Sequence, residues 1–235
     1  MKSWEDPRIV RGMTAQLAKR RERIAAGETP LGWKVGFGAP ASMQRLGLQA
    51  PLVGYLMQAA LLPSGSSVSI ASYSKPVLEP EIAVRMARDL PGGSPPEAAG
   101  TAVKELMPAI ELADLDPAPT PDNLDLVLEG DIFQRQVLLC SSTRPGASVS
   151  GLTSRLIRRG AEVARTTEPE ALTGKLVDLV AHVASTLAAF GERLAAGDII
   201  ITGSITPAVT IERGEVGIAH ALDPIGEVSV KFTWA

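Results

Sequence analysis

The stretch VLEPEIAVRM, residues 77–86, places two glutamates two positions apart in a run that otherwise has the apolar character of a buried strand. Because side chains alternate between the faces of a strand, Glu79, Glu81 and Ala83 share one face. Two carboxylates withdrawn from water together cost free energy through desolvation and mutual repulsion, unless a proton or a cation compensates. The stretch therefore predicts either a strand with a solvated acidic face or a carboxylate pair that holds a divalent ion.

A third carboxylate lies in a similar apolar setting further along the chain. The segment MPAIELAD, residues 107–114, reads as extended, and Glu111 stands between Ile110 and Leu112. This repetition favours a shared role for the glutamates.

A lysine flanked by glycines precedes these segments. In LGWKVGFG, residues 31–38, large apolar residues alternate with small ones, which predicts a strand. Gly32 and Gly36 lie two positions to either side of Lys34, so a ligand is expected to reach the amine. A surface lysine whose stem covers apolar residues is the alternative.

Helices are predicted at three places. Asp6 and Pro7 give a cap and a first turn for a helix of about 19 residues that stops near Gly27. Ser94 and Pro95 predict a second helix that runs to about Leu106. A third begins at Leu176, follows an apolar stripe and ends at Gly191.

The remaining chain is rich in short strands. Residues 120–150 read as a loop followed by a strand near Gln136–Cys140. Residues 154–165 read as a strand pair joined at Arg159-Gly160, with a helix up to Arg158 as the alternative. Residues 199–201 are continuously apolar, as in a strand buried on both faces, and the last segments form a strand pair. Many short strands with three helices, without regular alternation, predict an α+β fold.

Composition excludes several classes of protein. The chain has 235 residues, a formal net charge of -3, 45% hydrophobic and 21% charged residues, as in a soluble globular protein. Only 4% of residues are aromatic and the basic run 19–23 is isolated, so we expect a solvated helix face there and no nucleic-acid partner. Neither an apolar leader nor a long apolar run occurs, so no membrane association is expected, and the single cysteine fits the cytoplasm.

Three other residues have simple interpretations. Cys140 follows three apolar residues and is expected to be a small buried core residue. His182 lies off the apolar stripe of its helix and is expected at the surface. Neither His182 nor His220 belongs to a recognisable hydrolytic motif.

The assembled pattern resembles the fumarylacetoacetate hydrolase superfamily, and within it the branch of 2-keto-4-pentenoate hydratases and 4-oxalocrotonate decarboxylases. The similarity extends from Leu31 onward and rests on the segments GWKVGF (32–37), LEPEIAV (78–84), MPAIEL (107–112) and LAAGDIIITGSITPAV (194–209). It implies a mixed β-sheet roll or barrel of the C-terminal-domain type with flanking helices. The domains expected are a helical segment at 1–30 and a single catalytic domain at 31–235.

The resemblance also implies site residues. Glu79, Glu81 and Glu111 would hold Mg²⁺ or Mn²⁺, since hard oxygen ligands suit a hard cation. The substrate, a small 2-oxo acid, would chelate the ion, which would polarise its carbonyl and stabilise an enolate, with Lys34 shuttling a proton or holding the enolate oxygen. A cation nearby is expected to lower the pKa of Lys34.

In relatives, the turn matched by TGSIT, residues 202–206, helps to bind the substrate. Gly203, Ser204 and Thr206 are therefore candidate substrate-binding residues. A turn whose hydroxyls are satisfied locally is the alternative.

Two departures from the family pattern bear on the reaction. Hydratases of this branch usually carry Pro-Asp-[Phe/Tyr]-Gly, and this chain has Leu52 in place of the acid. Leucine exchanges no proton, so water activation would have to come from another group. Relatives also tend to show Asp-Asn where this chain has Glu129 and Gly130, and a loop rearrangement would be needed for Glu129 or Asp131 to substitute.

These observations predict a metal-dependent hydratase of aromatic-compound degradation, with a 4-oxalocrotonate-type decarboxylase as the close alternative. Hydrolysis of a carbon–carbon bond ranks third. A non-catalytic subunit is the alternative of a different class, and three clustered glutamates argue against it. The resemblance implies a homo-oligomer, or pairing with a related hydratase or decarboxylase chain.

Overall fold

The computed structural model describes residues 2–234 and contains two β-sheets with helices packed around them. The helices are α1 (Pro7–Ala25), α2 (Pro40–Leu46), α3 (Pro96–Ala102), α4 (Leu124–Glu129) and α5 (Leu176–Ala189). The strands are β1 (Pro30–Gly36), β2 (Leu52–Met57), β3 (Leu61–Pro63), β4 (Ser67–Ser69), β5 (Pro76–Met86), β6 (Val103–Asp114), β7 (Gln134–Leu139), β8 (Arg144–Pro145), β9 (Thr153–Arg158), β10 (Ala161–Thr166), β11 (Ile199–Ser204), β12 (Val209–Thr210), β13 (Gly217–Asp223) and β14 (Gly226–Thr233). The expected α+β class is confirmed.

The larger sheet has nine strands, and its main path runs β2-β1-β11-β5-β6-β7-β3. Strands β5 and β6 are long antiparallel neighbours at its centre, whereas β1 and β11 are parallel. Residues Ile199, Ile200 and Ile201 are all fully buried, as the apolar run predicted. A mixed sheet of this kind places β1, β5, β6 and β11 side by side, and these are the strands that carry the candidate site.

The smaller sheet has five strands in the order β10-β9-β13-β14-β4 and packs against the larger one. The predicted hairpin of β9 and β10 is confirmed, with its turn at Arg159 and Gly160. Buried His220 on β13 links the two sheets. Its Nδ1 lies 2.9 Å from the Ala109 carbonyl on β6, and its Nε2 lies 3.1 Å from the Ser154 hydroxyl. The carbonyl requires a proton on Nδ1, so Nε2 accepts from Ser154 and the ring is a neutral structural link.

Helix α1 confirms the predicted N-terminal helix. The Asp6 side chain accepts a hydrogen bond from the Arg8 backbone N–H and caps the first turn. Its buried face, including Met13 and Leu17, shares one core with the larger sheet and α4. The division of the chain near residue 30 stays a prediction. In residues 2–234 no helix has the length and apolarity needed to cross a membrane.

One helix prediction was wrong in part, and two helices were missed. Helix α3 ends at Ala102 instead of about Leu106, and Ser94 donates to the Pro91 carbonyl instead of capping it. Val103 and Leu106 belong to β6, where pairing with β5 buries them. Helices α2 and α4 were missed because their seven and six residues span fewer than two turns, too short for a periodic pattern to be detected.

Two single-residue predictions also need correction. His182 is half-buried, and its Nε2 lies 2.9 Å from the Pro51 carbonyl, so it is not a surface histidine. Cys140 is only partly buried at the edge of the core between the sheets.

Candidate metal centre

Three glutamates meet at the centre of the larger sheet. In the antiparallel pairing of β5 and β6, Glu79 lies directly opposite Glu111, and Glu81 lies opposite Ala109. Directly opposed residues share a face, so all three carboxylates project to the same side. One oxygen from each carboxylate lies within 4.8 Å of the others. The structure therefore brings together the three residues that the sequence predicted as metal ligands.

Two of the three carboxylates are buried, the third is partly exposed, and the cluster is incompletely paired. Glu81 and Glu111 are both 0% exposed, which makes the interpretation as a solvated acidic face wrong. The Gly203 N–H donates to Glu81 Oε2 over 2.6 Å, but Glu81 Oε1 and Glu111 Oε2 have no hydrogen-bond partner among residues 2–234. Buried oxygens without partners are costly, and a divalent cation is the ligand that carboxylate oxygens suit best. The donor set thus fits Mg²⁺ or Mn²⁺.

Burial has a direct effect on the protonation of this cluster. It raises the pKa of Glu79 to about 7, and the neighbouring charge of Glu111 adds to the effect. Burial also raises the pKa of Glu81 well above its ordinary value, followed by the charges of Glu111 and Glu79. Without a cation the cluster retains protons near neutral pH, and metal binding would release them.

Protons and a metal ion compete for the same carboxylate oxygens, so the stabilisation of the protein by metal should depend on pH. Protons occupy the ligands below the raised pKa values, so the Mg²⁺-induced rise in Tm should grow as pH increases through about 7. We expect a small shift at about pH 5.5. At about pH 8 and near-saturating Mg²⁺ we expect roughly 5–10 °C. Thermal melts with Mg²⁺ or with chelator measure this difference, and a shift that is equal or larger at the lower pH would contradict it.

Lys34 lies beside the glutamates. It is 2% exposed on β1, its Nζ forms an ion pair with Glu111 Oε1, and it donates to the Ile132 carbonyl over 3.1 Å. The interpretation as a surface lysine is therefore wrong. Burial alone would lower the pKa of Lys34, but the carboxylates of Glu111 and Glu79 raise it above its ordinary value. The lowered pKa expected beside a bound cation stays a prediction.

The glycines around Lys34 serve close packing. A Cβ at Gly32 would lie 1.9 Å from the Ile199 carbonyl oxygen on β11, and one at Gly36 would lie 2.8 Å from Ile132 Cγ2. The flanking glycines thus allow neighbouring segments to approach β1. Gly36 also lines a cavity that contains Lys34, and the expectation that a ligand reaches the amine there stays a prediction.

A cavity of about 300 Å³ reaches the cluster. Its lining includes the charged residues Lys34, Glu79 and Arg45. Lys34 is buried and Arg45 on α2 is exposed, so the two cations mark its inner and outer parts. Most of the other wall is apolar, with Phe37, Leu115, Ile132, Phe133, Leu172 and Pro207 among its residues. A small acid with an apolar middle matches this lining.

The residues predicted to bind substrate also line the cavity. Gly203, with φ of 92°, turns its N–H toward Glu81 and so orients a candidate metal ligand. The Ser204 hydroxyl donates to the Thr206 carbonyl over 2.6 Å and is satisfied locally. The buried Thr206 hydroxyl has no partner among residues 2–234, so it is the group in this turn that is free to bind a ligand.

The two acids considered as replacements at Leu52 lie in different environments. Glu129 forms an ion pair with Lys19 over 2.9 Å, and both side chains are exposed. Asp131 is only 8% exposed and accepts a hydrogen bond from the Tyr55 backbone N–H over 2.8 Å. Burial raises the pKa of Asp131 to about 8, although the charge of Lys34 opposes this. Asp131 therefore belongs to the surroundings of Lys34, whereas Glu129 does not.

Sequence reasoning missed other groups near the site. No sequence pattern indicated that Arg45, Ile132 and Phe133 lie at the site. Each reaches the cavity through a helix or turn whose packing is set by distant residues. His182 and His220 do not line this cavity, which agrees with their lack of a hydrolytic motif.

Comparison with known proteins identifies both decarboxylases and hydratases as relatives. A 4-oxalocrotonate decarboxylase from Pseudomonas sp is 28% identical over 211 residues, covering 90% of this chain and 82% of the relative. A 2-keto-4-pentenoate hydratase from Paraburkholderia xenovorans is 25% identical over 219 residues, covering 92% and 81%.

A solved structure is also similar. It is 4-oxalocrotonate decarboxylase from Pseudomonas putida G7, complexed with magnesium and adipate, with a TM-score of 0.84 at 26% identity, covering 93% of this chain and 83% of that one. The model of the fumarylacetoacetate (FAA) hydrolase C-terminal family matches residues 35–233. With this match across most of its length, the chain belongs to the fumarylacetoacetate hydrolase family.

Proposed function

We propose that this protein is a divalent-metal-dependent lyase of small 2-oxo acids, and that its reaction is the decarboxylation of an unsaturated 2-oxo diacid. The observation that carries the proposal is the buried cluster of Glu79, Glu81 and Glu111 beside Lys34, at the inner part of a cavity suited to a small acid. The related decarboxylases and hydratases support the lyase class, and a decarboxylase solved with magnesium supports the dependence on a divalent metal.

The three glutamates would hold the ion. When bound, a divalent ion polarises the 2-oxo group and stabilises the negative charge that develops on its oxygen. In an unsaturated diacid such as 4-oxalocrotonate, the bond to the distal carboxylate breaks and CO2 leaves. The electron pair moves through the conjugated chain to the 2-oxo oxygen, and a proton on that oxygen gives the dienol product.

Lys34 is the residue in place to supply that proton. Its buried ammonium lines the cavity, and its Nζ is fixed by Glu111 and by the Ile132 carbonyl. A third hydrogen of the ammonium remains for the substrate oxygen. Lys34 would therefore donate a hydrogen bond to the developing enolate and transfer a proton to it.

Decarboxylation is favoured over hydration by the absence of an acid at Leu52. Hydration needs a group that activates water, whereas loss of CO2 does not. Glu79 is the acidic residue that lines the cavity, and its proposed role as a metal ligand occupies it. The apolar side chain of Leu52 is 3% exposed and belongs to the core.

Arg45 supports a substrate with two carboxylates. Its Nη1 donates to the Pro119 carbonyl over 3.1 Å, and no carboxylate lies within ion-pair distance of it among residues 2–234. Its remaining N–H groups are able to bind an anion at the outer part of the cavity. Adipate, the ligand in the related decarboxylase structure, is itself a dicarboxylate.

We expect Arg45→Ala to raise KM for 4-oxalocrotonate about tenfold and to leave kcat within about threefold, since Arg45 lies at the outer part of the cavity and would contribute binding that is similar in the substrate complex and in the transition state. Steady-state kinetics at several substrate concentrations measure the two constants. Arg193→Ala removes an arginine that is 80% exposed and does not line the cavity, and serves as the matched control. Equal KM values for Arg45→Ala and wild type would remove Arg45 from substrate recognition.

The direct test of function offers the protein and Mg²⁺ two substrates separately, 4-oxalocrotonate and 2-hydroxypenta-2,4-dienoate. Decarboxylation predicts CO2 from the first and no water addition to the second. Water addition to the second without CO2 from the first would make the protein a hydratase.

Hydration is the second candidate function, and Asp131 is the observation that favours it. This buried acid lies near Lys34, in a position that sequence reasoning considered for the missing acid. It ranks second because Asp131 does not line the cavity that contains Lys34 and Glu79.

A further inference from the structure

The segment 131–133 has an unusual backbone. Asp131, Ile132 and Phe133 have φ values of 56°, 51° and 65°, so three consecutive non-glycine residues adopt the left-handed region. This region is unfavourable for L-residues, and most of all for a β-branched residue such as Ile132. Such a turn persists only where its surroundings hold it, and turns of this kind cluster at functional sites.

The turn delivers two groups to the candidate site. The Ile132 carbonyl accepts a hydrogen bond from Lys34 Nζ over 3.1 Å. The Phe133 ring packs edge-on against Phe37, with centroids 6.3 Å apart, and both rings line the cavity. The backbone conformation of the turn therefore determines the position of an atom that contacts the buried ammonium.

The Asp131 carboxylate connects this turn to β2. It is 8% exposed, and its Oδ1 accepts the Tyr55 N–H over 2.8 Å. A Cβ at Gly54 would lie 2.8 Å from both Asp131 Oδ1 and Lys34 Cγ, so the carboxylate and the lysine stem fill the space that this glycine leaves. Asp131, Gly54 and Lys34 thus pack as one unit.

The Ile132 carbonyl has a particular value for Lys34. Nζ has two acceptors, Glu111 Oε1 and the Ile132 oxygen. Glu111 is also a candidate metal ligand, so a bound ion would also determine the position of its carboxylate. The position of the Ile132 carbonyl is determined by the protein alone.

We propose that Asp131 is a positioning residue for Lys34, whose carboxylate anchors the left-handed turn to β2 and thereby holds the Ile132 carbonyl against the lysine ammonium. The inference rests on the proposed function for the part that Lys34 plays in turnover. Asp131 acts through Lys34 because it does not line the cavity and so does not reach the substrate.

Two substitutions separate the anchor from the backbone conformation. Glycine adopts positive φ freely, so Asp131→Gly removes the carboxylate while leaving the turn accessible. Asparagine also tolerates this region, and its Oδ1 is able to accept the Tyr55 N–H. Asp131→Asn therefore keeps the anchor and removes the titratable group. Glu129→Gln changes the charge of a nearby exposed residue and is the matched control.

We expect Asp131→Gly to lower kcat for CO2 release at least about 30-fold, as when a proton donor is misplaced. KM and the Mg²⁺ dissociation constant should change less than about threefold. The kcat of Asp131→Asn should be at least about tenfold higher than that of Asp131→Gly. A crystal structure of Asp131→Gly should show the Ile132 oxygen beyond hydrogen-bond distance of Lys34 Nζ. Wild-type kcat in Asp131→Gly, or an Asp131→Asn defect equal to that of Asp131→Gly, would overturn the proposal.

Gly54→Ala tests the same anchor should Asp131→Gly fail to fold. Its added Cβ would crowd both the Asp131 carboxylate and the Lys34 stem, so we expect a loss of kcat without loss of Mg²⁺ binding, and a crystal structure should show Asp131 Oδ1 displaced from the Tyr55 N–H and the Ile132 oxygen displaced from Lys34 Nζ. Unchanged kcat in a folded Gly54→Ala protein would overturn the proposal. If the proposed function is wrong, the wild-type protein will release no CO2. The distance from Lys34 Nζ to the Ile132 oxygen in a crystal structure of the variant then tests the anchor alone.

Discussion

Replacing Glu81 by glutamine is expected to weaken Mg²⁺ binding at least about 100-fold and to abolish turnover in parallel. The carboxylate is 0% exposed and has one oxygen without a partner among residues 2–234. An amide of the same shape removes the charge that a hard cation needs, and its NH2 group donates instead of accepting. Titration calorimetry with Mg²⁺ and a CO2-release assay measure the two losses.

The same substitution should stabilise the metal-free protein. Burial holds the pKa of Glu81 well above its ordinary value, which is the sign of a carboxylate that is costly to ionise. A neutral amide avoids this cost, so the Tm in chelator should equal or exceed that of the wild type. Glu97→Gln, at an exposed position on α3, is the control. Wild-type Mg²⁺ affinity in Glu81→Gln would mean that the carboxylates are not metal ligands.

Replacing Lys34 by methionine is expected to lower kcat about 1,000-fold while changing Mg²⁺ affinity less than about tenfold. The substitution keeps an unbranched side chain of similar length but removes the ammonium that contacts Glu111 and the Ile132 carbonyl. Proton donation to the substrate is lost, whereas the three carboxylates remain. Single-turnover kinetics and Mg²⁺ titration distinguish these effects.

A matched control for the lysine is Lys104→Met, which removes an exposed cation from β6. It should behave as wild type in both measurements. A Lys34→Met enzyme with full turnover would show that the proton comes from another group. Loss of Mg²⁺ binding together with kcat would instead assign Lys34 to the organisation of the carboxylates.

The central strands and the placement of Glu79 and Glu81 on one face were predictable from local sequence. Alternation in residues 77–86 placed Glu79 and Glu81 on one face, and the structure confirms that arrangement. The proximity of Glu111 was implied by family resemblance, because the register between two strands is not encoded in either strand alone. The apolar run 199–201 predicted a buried central strand, because a strand that packs on both faces needs apolar side chains on each of them.

The surroundings of Lys34 were not predictable in the same way. Asp131 reaches the lysine through a left-handed turn, and its sequence, with isoleucine at the centre, lacks the glycine that usually marks such a turn. Helix α4, which precedes it, is too short to show a period. His182 looked exposed because the loop carbonyl of Pro51 that covers it is distant in sequence.

A crystal structure of the wild-type protein soaked with Mn²⁺ and oxalate tests the central claim most directly, because the anomalous signal of manganese locates the ion. We predict one anomalous peak, coordinated by an oxygen from each of Glu79, Glu81 and Glu111, with oxalate completing the coordination from the cavity side. A structure that shows no ion between these three carboxylates, or an ion bound only elsewhere on the chain, would contradict the account.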